Sequence, residues 1–154
     1  ADAVWLVVAT LEARVYSALL ADHVPSAQAL ALAKSSLPEA EDVLRRELKV
    51  CRGVGSQRGE AVLHLARIRV LRLRGKCRLE RHLGEDAFPS AEDALRIARQ
   101  LRETRLEAVA SLEMLGFLCS QREHREATEV GEEVVRLYQQ LGDHEGEGLA
   151  WHHM

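Results

Sequence analysis

The sequence predicts an all-α protein built from antiparallel helix pairs, about three repeats plus the start of a fourth. The first observation behind this is a self-match at a shift of forty residues. Ala91-Glu92-Asp93-Ala94-Leu95-Arg96-Ile97-Ala98-Arg99-Gln100-Leu101 returns as Gly131-Glu132-Glu133-Val134-Val135-Arg136-Leu137-Tyr138-Gln139-Gln140-Leu141, and Leu106-Glu107-Ala108-Val109-Ala110 returns as Gly146-Glu147-Gly148-Leu149-Ala150. A fixed period of this size marks units that bury their apolar faces only by stacking on one another. The second observation is composition: aromatics are 4% while Ala, Leu, Glu and Arg dominate, the palette of helices packed closely through small side chains. The third is that no stretch alternates apolar and polar residues with a strand period.

Taken in order, Ala3 to Ala21 is expected to be a first helix and the partner of the helix that starts at Pro38, with a short helix or loop inserted between them from Val24-Pro25 to Ser36. Pro38-Glu39-Ala40-Glu41-Asp42-Val43-Leu44-Arg45 matches Pro89-Ser90-Ala91-Glu92-Asp93-Ala94-Leu95-Arg96 at six of eight positions. The match predicts a helix from Pro38 to about Arg52, with Gly53-Val54-Gly55-Ser56 closing the unit. Glu60 to Arg74 forms the next helix, Gly75 interrupts it, and a long linker to Phe88 carries an extra helical turn around Arg78 to His82. Pro89-Ser90 then starts a helix whose Ala91, Ala94, Leu95, Ala98 and Leu101 face inward. In the cleanest unit, Val109, Leu112, Leu115 and Leu118 or Cys119 make one stripe, Gln121 to Arg125 a turn, and Ala127, Val130, Val134, Tyr138 and Leu141 a second stripe ended by Gly142-Asp143. The units are thus 1–56, 57–105, 106–144 and a partial 145–154, in a single domain expected to be a piece of a larger protein.

Charge is balanced, with 21 basic and 24 acidic side chains spread along the chain and a formal net charge of −3, so bulk charge draws no nucleic acid. Cys51, Cys77 and Cys119 are odd in number and scattered, which reads as reduced thiols in an intracellular protein rather than a disulfide or zinc framework. The longest apolar run, Ala3 to Leu11, is too short to span a bilayer. A soluble cytoplasmic or nuclear chain is expected, without membrane association.

Helix pairs of this period, with a small residue in the first helix, an alanine near the start of the second and the junction Leu141-Gly142-Asp143-His144-Glu145-Gly146-Glu147, resemble tetratricopeptide repeats. The junction is similar to the forty-residue variety in Pins-type spindle-orientation adaptors and MalT-type bacterial regulators. Leu112, Leu115, Gly116 and Cys119 fall on the family's large, large, small and large positions, and Ala127, Gly131 and Val134 follow on the second helix. The likeness covers Glu60 to Met154 well and the segment before it loosely. Two departures stand out: Arg69 replaces the small residue found at Gly116, and Arg72 and Cys119 occupy a position that is usually aromatic. The resemblance implies a right-handed α-solenoid that binds a peptide or partner domain on a concave face lined by the first helix of each repeat. Carried over position by position, it marks Leu63, Ala66, Arg67, Val70 and Arg74 in the middle unit and Ala110, Glu113, Met114, Phe117, Ser120 and Gln121 in the next. The core of this groove is Leu63, Arg67, Val70, Arg74, Ala110, Glu113, Met114, Phe117 and Gln121. Arginine forks suit carboxylates, and Met114 and Phe117 give an adaptable apolar contact, so the expected ligand has acidic and apolar side chains. The carboxylate clamp of chaperone-binding members relies on asparagine and lysine; this chain has no asparagine and three lysines, which disfavours that ligand.

Catalytic and cofactor signals are lacking. Gly53-Val54-Gly55-Ser56-Gln57-Arg58-Gly59 lacks the Gly-Lys-Ser/Thr ending of a phosphate loop and follows a helix. His152 and His153 are adjacent, so on a helix they point about 100° apart and cannot share a metal by themselves. Acidic pairs recur once per repeat near helix starts, where they favour the dipole. No enzyme, cofactor or metal is expected.

Arg67, Arg69, Arg72, Arg74, Lys76, Arg78 and Arg81 form one basic cluster, read either as a solvated, salt-bridged face or as a basic groove lining. On a continuous helix Arg67, Arg74, Arg78 and Arg81 fall within about 60° of one another. The alternative function is a self-associating or ligand-sensing helical domain of a larger regulator or ATPase, dimerising through the C-terminal end that carries Leu149 and Trp151. Nucleic-acid binding through the arginine cluster ranks third, since no aromatic residues accompany it.

Overall fold

Runs of alanine and leucine at helical spacing produce eight helices among the described residues: α1 (Asp2–Leu20), α2 (Val24–Ala33), α3 (Leu37–Val54), α4 (Gln57–Gly75), α5 (Glu80–Leu101), α6 (Thr104–Ser120), α7 (His124–Leu141) and α8 (His144–His153). The structure is a computed structural model. It describes the backbone of residues 2–20, 23–33, 35–75 and 80–154, and the side chains of these except 2–5, 9, 37, 72–75 and 80–87.

Three junctions are built alike. Gly55 after α3, Arg102 after α5 and Gly142 after α7 all take the left-handed conformation, with φ of 74°, 56° and 67°. At each, the next residue's N–H reaches back into the finished helix: Ser56 to the Cys51 carbonyl, Glu103 to that of Ala98, and Asp143 to that of Tyr138. These are the backbone bonds that satisfy the orphan carbonyls at a helix end. A side-chain bond eight residues long spans each junction, from Arg52 to Glu60, Arg99 to Glu107 and Gln139 to Glu147. Asp143 also caps α8 by accepting the Gly146 N–H at 3.0 Å.

The even-numbered helices α2, α4, α6 and α8 lie side by side in chain order. Each odd helix from α3 to α7 packs between the even helices before and after it, and among the described residues these odd helices do not touch one another. Small residues set the spacing: Ala61, Ala66, Ala91, Ala94, Ala98, Ala108, Ala110 and Ala150 are fully buried. Buried alanines let helix axes approach, and Leu65, Ile68, Ile97, Leu106 and Leu115 fill the space between. At α7 and α8 the approach is closer still, because Gly146 lies directly against the Tyr138 ring, where a Cβ would strike the aromatic carbons.

Two expectations are corrected. The helix at Ala3 to Ala21 is not the partner of α3. That partner is α2, whose buried Ser26, Ala29 and Ala33 are small enough for a close pair, whereas α1 touches α2, α4, α6 and α8 and, among the described residues, no odd helix. Having brought Tyr16, Leu19 and Leu20 inward, α1 fills the wider furrow along the even helices. The second correction concerns Pro89. A proline reads as a first-turn residue because its missing N–H costs nothing there. Here it lies inside α5, exposed, with helix on both sides. The expected linker turn falls partly on residues 76–79, outside the described residues.

Candidate partner-binding groove

The face formed by α4, α6 and α8 meets α1 through polar groups as well as apolar ones. The Arg69 guanidinium on α4 donates to Glu12 of α1 at 3.0 Å, and their side chains are only 16% and 20% exposed. The same guanidinium lies 5.7 Å from the centre of the Tyr16 ring, within range of a cation–π contact. Tyr16, itself buried, donates its hydroxyl proton to Glu113 of α6 at 2.6 Å. Such a short bond to a carboxylate is charge-assisted, and a carboxylate in so dry a position needs bonds of this kind to stay there. Arg14 completes the set by donating to Glu145 of α8 at 2.8 Å, in solvent.

These contacts fix direction as well as place. Glu12 and Tyr16 sit at Arg69, while His23, just past α1, lies 3.6 Å from the Cβ position of Gly59 near the start of α4. The chain therefore runs along α4 in the antiparallel sense. Val15, Leu19 and Leu20 are buried, Val8 and Leu11 pack partly, and Leu6 and Val7 remain 59% and 58% exposed on the outer side.

The residues expected to line a groove separate into two groups. Glu113 meets α1. Phe117 instead packs edge-on against Phe88 of α5, with centroids 5.9 Å apart, and Arg67 donates to Ser90 of α5 at 3.0 Å. Leu63, Val70 and Ala110 are buried, Met114 is partly so, and Gln121 is exposed. The side chain of Arg74 lies outside the described residues, as do those of Arg72, Lys76, Arg78 and Arg81. Leu63 and Arg67, with His64 and Leu71, form one wall of a cleft of about 320 Å³, and Glu41, Leu44, Arg45 and Leu48 of α3 form the other. On a helix Arg67 and Arg69 point about 160° apart, so the basic cluster faces two directions rather than one.

Sequence reasoning missed two of the three residues that organise this face, Glu12 and Tyr16, and the role of the third, Arg69. Arg69 was visible as a departure, a large cation where the next unit has Gly116, and as a member of the basic cluster. Glu12 and Tyr16 stand four residues apart in an otherwise apolar run, which is the spacing of two side chains on one helix face.

Further polar groups are buried nearby. The Tyr138 hydroxyl has no hydrogen-bond partner among the described residues, and burial raises its pKa, with the negative fields of Asp143 and Glu113 adding to the shift. His64 is held neutral because burial lowers its pKa, outweighing the opposite pull of Asp93 and Glu60. Cys51 and Cys119 are free thiols, both shifted upward by burial. The rings of His152 and His153 stand 5.7 Å apart. Among the described residues no three His, Cys, Asp or Glu side chains are grouped as metal ligands, and no helix is long and apolar enough to cross a membrane. No family model, curated protein or solved structure matches this chain.

Proposed function

We propose that the chain is a non-catalytic protein-interaction scaffold of the tetratricopeptide type, a solenoid of helix pairs that grips a helical segment of a partner on its even-helix face. The observation that carries the reading is α1 itself, a helix lying across all four even helices and fastened there by Glu12, Arg14 and Tyr16. A face that accepts one helix has the width and the anchoring groups to accept another, the helix-in-groove mode of recognition. The three equivalent junctions and the forty-residue self-match support the repeat reading, since they reproduce backbone and side-chain bonds in register.

A selection of helical peptides displayed on phage against the full chain tests this. Selected peptides should crosslink to a photoreactive residue placed at Met114 on α6 and not to one placed at Arg136 on the outer side of α7. Binders that crosslink only at position 136 would remove the even face from consideration.

One observation favours a second reading, self-association through α8. Trp151 and Met154 are 58% and 44% exposed beside the fully buried Leu149 and Ala150. Sedimentation equilibrium of the full chain and of Trp151→Asp separates the readings: a dimer that the substitution dissociates supports it, and a monomer in both rejects it.

A further inference from the structure

We infer that α1 is a resident stand-in for the ligand, and that the even face selects its partner helix by one constellation. The constellation is an acidic residue at i, an aliphatic residue at i+3, a tyrosine at i+4 and leucines at i+7 and i+8, presented antiparallel to α4. In α1 these are Glu12, Val15, Tyr16, Leu19 and Leu20. The inference rests on the scaffold reading and adds to it the chemistry of the partner.

The groups on the receiving side explain why this pattern is read. Arg69 takes the acid and covers the tyrosine ring, so both must lie one helical turn apart on the same side. Glu113, almost fully buried, takes the tyrosine hydroxyl, so phenylalanine in that place costs the carboxylate a bond that water cannot replace. A helix shifted by one turn, about 5.4 Å, moves the acid away from Arg69 and brings no hydroxyl to Glu113. Register and specificity thus come from the same two groups, the buried Glu113 and the largely covered Arg69, through the penalty on mismatched ligands. The Arg14–Glu145 pair is exposed and helps to aim the helix without holding it strongly.

α1 is also the one element outside the alternation of even and odd helices. Its removal opens the face without breaking any even–odd pair. While it is seated, an incoming helix competes with a tethered copy at high effective concentration, so only a partner reproducing the constellation gains access.

A fluorescein-labelled synthetic peptide of residues 2–20 serves as the probe for full-length chains. Three chains are compared: the wild type, E12Q/Y16F with its own helix weakened, and R14C/E145C, in which a bis-maleimide bridge containing a reducible disulfide, long enough for the span of an Arg–Glu pair, locks α1 in place. The weakened chain should bind the probe about tenfold more tightly than the wild type. The locked chain should not bind it, and reduction of the bridge should restore wild-type binding. Carrying either E12Q or Y16F in the probe should cost about tenfold against the weakened chain. Equal binding of altered and parent probes would overturn the constellation while leaving a helix-binding face. If no probe binds the weakened chain although circular dichroism shows it fully helical, the scaffold reading itself falls. Should that chain fail to fold, wild type and locked chain answer alone: equal probe binding by the two overturns the exchange.

Discussion

The contacts inside the even–odd stack and the contacts that seat α1 share an apolar layer, with Val15, Leu19 and Leu20 on the α1 side, and differ in their polar content. Inside the stack, alanines, leucines and Ile68 and Ile97 meet with almost no exposed surface, and Gly146 lets the Tyr138 ring sit against a helix backbone. Beneath α1, an ion pair, a tyrosine–carboxylate bond and a cation–π contact do much of the positioning, while Leu6 and Val7 face outward. Close apolar packing is hard to exchange because every methylene removed leaves a cavity. Polar seats are easier to exchange, since a new partner carrying matching groups can satisfy them as the helix leaves. The difference separates the part of the molecule that must persist from the part suited to turnover.

The largest expected effect breaks the packed side of this comparison. Leu115→Ala removes a fully buried side chain and should cost about 3 kcal/mol in chemical denaturation, with unfolding of the whole stack. Gly146→Val forces a branched side chain against Tyr138 and should destabilise by about 2 kcal/mol for the opposite reason, overpacking. On the polar side, Tyr16→Phe should cost about 1–2 kcal/mol, and the loss should be confined to α1.

His64 adds a pH dependence to the packed side. Its folded pKa is lower than its unfolded value, near 6.5, so the unfolded chain takes up the proton first as pH falls. The sign follows: the neutral ring contributes its full stability above 6.5, and that contribution is lost as pH drops below 6.5 toward the folded value. Urea midpoints measured from pH 7.5 to 5 should decline, and His64→Gln should flatten the decline. A midpoint that rises on acidification in the wild type but not in the variant would contradict this.

The smallest effect lies at the junctions. Arg102 holds the same left-handed conformation as Gly55 and Gly142 but carries a Cβ. Arg102→Gly should therefore stabilise by about 0.5–1 kcal/mol, and Gly142→Ala should destabilise by about the same amount, read from thermal midpoints.

Much of the stack was legible in the sequence because local signals and packing agreed there. Ala127, Val134, Tyr138 and Gly142 announce a helix, its inner face and its end, and α7 has all three. The second half of the first unit was legible for the same reason, through its match to residues 89–96. Pro89 misled because the first turn is only where proline costs least, and α5 continues on both sides of it. α1 misled more deeply. Its sequence says only that it is an apolar helix, and whether such a helix pairs with α3 or lies in a furrow depends on side-chain volumes supplied by residues far along the chain. The candidate site was partly legible. Glu113 was named from its position, but its partner Tyr16 is 97 residues away, and Arg69 gains meaning only beside Glu12.

Amide hydrogen exchange on the full chain, wild type against Tyr16→Phe, tests the central claim most directly: α1 is a separable occupant of an otherwise intact face. Exchange in residues 2–20 should accelerate at least tenfold in the variant, while α4, α6 and α7 keep their wild-type protection. Equal acceleration across all helices, or protection of α1 that does not change, would show that α1 belongs to the folded core and would contradict the account.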